Sequence, residues 1–84
     1  MNTKYTNLNT TDIIVKGHKD LCLRVGRKYN IHYGIHQGVH EYVGTTADGE
    51  HLFKKIGSDK VTFGYYSKCS PYEFTRIVTE TIKN

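Results

Sequence analysis

The chain has no tryptophan and only one proline, Pro71, so nothing before residue 71 is barred from a backbone ladder by a missing N–H. No apolar run reaches the ~18 residues of a membrane-spanning helix, which excludes that class of anchor. Cysteine is scarce. Cys22 and Cys69 lie far apart and lack the CxxC spacing of metal and redox motifs. The stretch MNTKYTNLNTTD is polar and contains no hydrophobic signal segment. These absences predict a cytoplasmic protein whose two thiols are reduced and packed as small buried hydrophobes. No nucleophile elbow or phosphate-binding glycine loop is present, so no catalytic residue, cofactor or metal site is expected.

Acids are also in deficit. Twelve Lys and Arg face eight Asp and Glu, a formal charge of +4 that favours polyanionic partners and solubility. Seven tyrosines and three phenylalanines supply both core filler and rings on which bases can stack. A chain of 84 residues is one domain with a thin margin of stability, and a homodimer would widen that margin.

Residues 1–10 are rich in Asn and Thr and read as a loose arm or peripheral strand that Tyr5 and Leu8 could anchor. Ile13, Ile14 and Val15 form a β-branched run expected to be covered on both faces. Leu21, Leu23 and Val25 alternate with polar positions as a second strand, which Gly26 interrupts. Tyr29, Ile31 and Tyr33 alternate in the same way and are expected on one face. A glycine-bracketed loop, Gly34–Gly38, leads to a strand containing Val39, Tyr42 and Val43. Asp48-Gly49 predicts a tight hairpin turn into a strand from Glu50 to about Ile56. Val61-Thr62-Phe63 and Tyr65-Tyr66 form a further strand, with Gly64 as a bulge or a close backbone approach.

Ser70-Pro71-Tyr72-Glu73 combines an N-cap, a first-turn proline and a capping-box glutamate. Phe74, Ile77, Val78 and Ile82 recur at helical spacing, so the sequence predicts a helix over 71–83. The expected fold is α+β, mainly β: a small partly open barrel of five or six short strands with one C-terminal helix, all in a single domain.

The pattern from Leu21 to Phe63 resembles small SH3-like barrels: Val25-Gly26, a basic turn, Tyr29-x-Ile31-x-Tyr33, a glycine loop, Tyr42-Val43-Gly44, Asp48-Gly49 and a lysine-bearing strand. The chain is also similar in character to small early proteins of large lytic phages, which are short, basic and rich in Asn, Lys, Thr, Ile and Tyr. That resemblance implies nucleic-acid binding or the disarming of a host defence such as a toxin ribonuclease, in a bacterial cytoplasm.

Lys16, Lys19, Arg24, Arg27, Lys28, Lys54 and Lys55 all fall on predicted turns or strand ends, where cations can contact phosphates. Tyr33, Tyr65, Tyr66 and His32 are the expected base contacts, by stacking or hydrogen bonding. Tyr65 and Tyr66 are adjacent, so one can fill the core while the other is exposed. His32, His36 and His40 recur every four residues, but glycines within the run indicate a hairpin and not a helical ligand stripe. On such a hairpin His32 and His40 could approach each other. RNA or another single strand is expected over DNA, because no helix is shaped for a major groove. The function expected is therefore a non-enzymatic nucleic-acid binder; the lesser catalytic alternative is RNA cleavage with His32 and His40 as acid and base and Lys54 or Lys55 as phosphate clamp. The alternative is a protein inhibitor that grips a host enzyme through an exposed strand edge.

Overall fold

Alternation of large apolar and polar residues produces strands in nearly every expected place. The computed structural model describes residues 7–81. Its elements are β1 (Ile13–Lys16), β2 (Asp20–Leu23), β3 (Lys28–Ile31), β4 (Gly38–Thr45), β5 (Glu50–Lys55), β6 (Phe63–Tyr66), α1 (Pro71–Ile77) and β7 (Val78–Glu80). A 3-10 turn at Gly34–His36 separates β3 from β4. β1 and β2 form an antiparallel hairpin. The other strands form one sheet in the order β6-β5-β4-β3-β7, with every neighbouring pair antiparallel. Thus β3 to β6 run as a meander, and α1 carries the chain back so that β7 pairs with β3.

The core lies between one face of this sheet and a second layer made by the hairpin and α1. Tyr29, Ile31, Tyr42, Phe53 and Phe63 come from the sheet, Val15, Leu21 and Leu23 from the hairpin, and Phe74 and Ile77 from the helix. Phe53 is central: its ring lies 5.6–6.5 Å from those of Tyr42, Tyr29, Phe63 and Phe74. These edge-on and tilted contacts add to the burial of large apolar surfaces.

Two start signals act as expected. The Asp48-Gly49 turn joins β4 to β5, with Gly49 at φ +98°, a backbone conformation that favours glycine. Ser70 caps α1, its hydroxyl accepting from the Glu73 N–H, with Pro71 in the first turn.

The helix is shorter than 71–83. It ends at Ile77, and Val78-Thr79-Glu80 is a strand, the seventh where five or six were expected. Val78 and Thr79 are β-branched and lose rotamer freedom in a helix. Pairing with β3 instead buries Val78 completely and satisfies the backbone. Both conformations point Phe74, Ile77 and Val78 into the core, which is why the helical spacing misleads. Residues 82 and 83 lie outside the described residues.

Other expectations are corrected in detail. Ile14 is 62% exposed, so β1 has one covered face, not two. Val25 lies beyond β2 and is exposed. The sheet's register shift falls between Tyr42 and Gly44, not at Gly64. At Gly64 there is instead a close approach, because the Glu50 carboxylate fills the space a Cβ would need. Cys22 is half-buried and Cys69 is exposed, both as free thiols, so neither is a fully buried hydrophobe. Asn9 makes an isolated two-way backbone bridge with Thr45, and Leu8 packs beside Gly44. The expected anchor Tyr5 lies outside the described residues.

Candidate nucleic-acid interface

Strand register decides which of the expected side chains share a surface. Tyr29, Ile31, His40, Tyr42 and Phe53 point into the core, so the alternate residues of the same strands face away from it. Lys28, Glu41 and Lys54 are direct partners across β3, β4 and β5 and form one row on this outer face. Thr79, Asn30 and Val39 form the next row, and Ile56 joins it by donating its N–H to the Val39 carbonyl. His32 lies at the end of the face, with Nε2 3.0 Å from the Thr79 hydroxyl. Among the described residues, Lys28 and Lys54 make no ion pair. Two unpaired ammonium groups therefore flank a single carboxylate.

Lys55 points to the opposite side. It is the register partner of His40, and its stem passes over Gly38. Beside it, the 3-10 turn gathers an aromatic group. Tyr33 and His36 both lie against Phe63, at 5.8 and 5.1 Å, and Tyr33 also meets Tyr65 at 5.9 Å. Tyr33 remains 47% exposed, because β3 pairing stops at Ile31 and the chain turns outward. It therefore does not share the buried face of Tyr29 and Ile31.

The remaining expected contacts are dispersed or occupied. Lys16 pairs with Asp20, Arg24 with Asp12 and Arg27 with Glu80, at 3.2, 3.0 and 3.5 Å. Asp12 raises the Arg24 guanidinium pKa, first through the hydrogen bond and then through its charge. Lys19 lies in the β1–β2 turn, in a groove that also contains Asp20 and Glu80. The Tyr65 ring is occupied by Phe63 and Phe74 at 6.1 and 5.8 Å, and the Tyr66 hydroxyl donates to Asp48 at 2.9 Å. Tyr33 is thus the expected aromatic whose ring is the most open.

The histidines diverge. His32 is on the outer face, His36 is in the aromatic group and His40 is completely buried. Across the β3–β4 pair, His40 faces Tyr29 and not His32. Among the described residues no cluster of three or more His, Cys, Asp and Glu could hold a metal ion. The His40 Nδ1 lies 3.0 Å from the Gly38 carbonyl, so it carries the proton, and Nε2 has no donor among the described residues. Burial pushes its pKa down, and the neighbouring Lys55 and His36 charges add to this.

A second buried polar feature runs from Tyr42 through Thr45 and His51 to Ser67. The Thr45 hydroxyl is 2.8 Å from His51 Nδ1, and His51 Nε2 is 2.8 Å from the Ser67 hydroxyl. The Tyr42 and Thr45 hydroxyls share a hydrogen bond, and the neutral His51 ring bridges Thr45 and Ser67, donating from one nitrogen and accepting at the other. Burial lowers the His51 pKa to about 4.

Sequence reasoning missed His36 and the neutral part of the outer face, Asn30, Val39 and Ile56. The three-residue spacing from Tyr33, just before the glycine-bracketed loop, to His36 within it was the available signal for His36. No family model matches the chain, and neither a curated protein nor a solved structure matches it.

Proposed function

We propose that this protein binds single-stranded nucleic acid, RNA in preference to DNA, without catalysing a reaction on it. The observation that carries the reading is the pair of cations on one open sheet face, Lys28 and Lys54, which make no ion pair among the described residues, while Lys55 and the exposed Tyr33 lie on the opposite side of the sheet. The face offers a track for phosphates, and Tyr33 offers a ring for bases. The only helix among the described residues has seven residues and buries Phe74, Thr75 and Ile77, so it is spent on packing and not on a major groove. A role against a host ribonuclease toxin would act through the same RNA contact. In fold terms, we read the four-strand meander, the short helix and the strand returned to β3 as a small SH3-like, partly open barrel.

Anisotropy of a labelled oligouridine tests this reading. If Lys28, Lys54 and Lys55 each hold one phosphate, affinity falls about tenfold between ~50 and ~200 mM salt. Binding that is absent at low salt, or indifferent to salt, contradicts it.

One observation supports a second reading. The edge strand β6, Phe63-Gly64-Tyr65-Tyr66, carries neither charge nor proline, the usual devices that protect an edge. We infer from this that a host protein could add a strand there. Such an interface would change little with salt.

A further inference from the structure

In a 3-10 turn, side chains three residues apart eclipse one another. Tyr33 and His36 are so spaced, and their rings are nearly parallel, 16° apart in orientation, with centroids separated by 6.4 Å. Both rest on Phe63, a core residue that is 5% exposed and held from below by Phe53. The floor is therefore rigid, whereas none of the turn's own residues is buried. Tyr33 is 47% exposed and Ile35 is 91% exposed, so the rim presents apolar surface to water that packing does not require. Lys55, the cation on this side of the sheet, is the register partner of His40, whose ring lies 6.2 Å from Phe63.

We propose that Tyr33 and His36, on the Phe63 floor, form a receptor for one unpaired nucleobase, with Lys55 holding the adjoining phosphate. Two parallel rings offer π-faces of one orientation, which suits a flat heteroaromatic ligand. A duplex keeps its base faces stacked against each other, so the receptor takes a base only from a single strand, a bulge or a loop. This inference rests on the nucleic-acid reading above and adds to it the receptor that requires an unpaired base. It assigns the phosphate track its affinity and the receptor its requirement for an exposed base.

The test compares three probes of equal length, about 12 nucleotides. They are oligouridine, the same backbone with abasic sites throughout, and a duplex. The wild-type protein is expected to bind oligouridine about 5- to 150-fold more tightly than the abasic strand, given the worth of ~1–3 kcal/mol per stacked base. Tyr33→Ala and His36→Ala should each reduce oligouridine binding toward the abasic level, while Tyr33→Phe retains it. Both positions lie on an outer loop, and near-ultraviolet circular dichroism confirms that each variant is folded. If the abasic strand or the duplex binds as tightly as oligouridine, the receptor is disproved while salt-dependent phosphate binding stands. If Tyr33→Phe binds as poorly as Tyr33→Ala, the ring is not acting by stacking and the proposal fails. If no probe binds at all, both readings fall together.

Discussion

The Tyr29 hydroxyl donates to the Cys22 carbonyl at 2.6 Å and accepts from the Arg24 N–H at 2.9 Å. One side chain from the five-stranded sheet thus ties down the C-terminal end of β2. Tyr29 is completely buried, and burial pushes its pKa up to about 12. Tyr29→Phe keeps the ring and strands both backbone partners. It should cost about 2 kcal/mol in urea unfolding, with an unchanged m-value.

Gly17 joins the same hairpin to the helix. A Cβ there would stand 2.7 Å from the Thr75 hydroxyl and 2.8 Å from the Pro71 carbonyl carbon. Thr75 needs that position, because its hydroxyl accepts from the His18 N–H at 2.8 Å. Gly17→Ala must push the hairpin off α1 and should cost on the order of 2 kcal/mol. Lys60→Ala, on an exposed turn, should change stability by less than about 0.5 kcal/mol.

Acid should weaken the fold through two buried histidines. Folding holds the His51 pKa near 4 and lowers that of His40, so both are neutral in the native state. The unfolded chain takes up these protons below about pH 6.5. Stability is therefore full above that pH and is lost as pH falls toward 4, where the His51 contribution levels off. For His51 the loss is about 3 kcal/mol over that window. His51→Gln should flatten the pH dependence; an unchanged slope would assign it to other groups.

The cap on α1 is also measurable. Ser70→Ala removes the acceptor for the Glu73 N–H and should cost about 1 kcal/mol, while Ser70→Asp should retain most of the stability.

Much of the fold was legible because its signals are local. Asp48-Gly49 fixes a turn by backbone conformation, Ser70-Pro71 starts a helix, and the alternation through Ile31 marks a strand. The end of the helix was not legible, since Val78 and Thr79 are tolerated in a helix and become a strand only once β3 offers a partner. The site was less legible for the same reason. Arg27 is occupied by Glu80, 53 residues away, and Arg24 by Asp12. Charge counting cannot see such pairings, so seven cations looked alike where the register places Lys28 and Lys54 on one face and Lys55 on the other. The two tyrosines of β6 looked interchangeable in sequence, yet one is enclosed by Phe63 and Phe74 and the other is bonded to Asp48.

The most direct test of the account is oligouridine affinity in two paired variants, Lys28→Gln/Lys54→Gln on the outer face and Lys16→Gln/Lys19→Gln on the hairpin. Each pair removes the same formal charge. The first pair should lose about tenfold at low salt with a shallower salt slope, and the second should change by less than about threefold. Equal losses would mean that net charge alone drives binding, and no loss in the first pair would contradict the sheet face as the site.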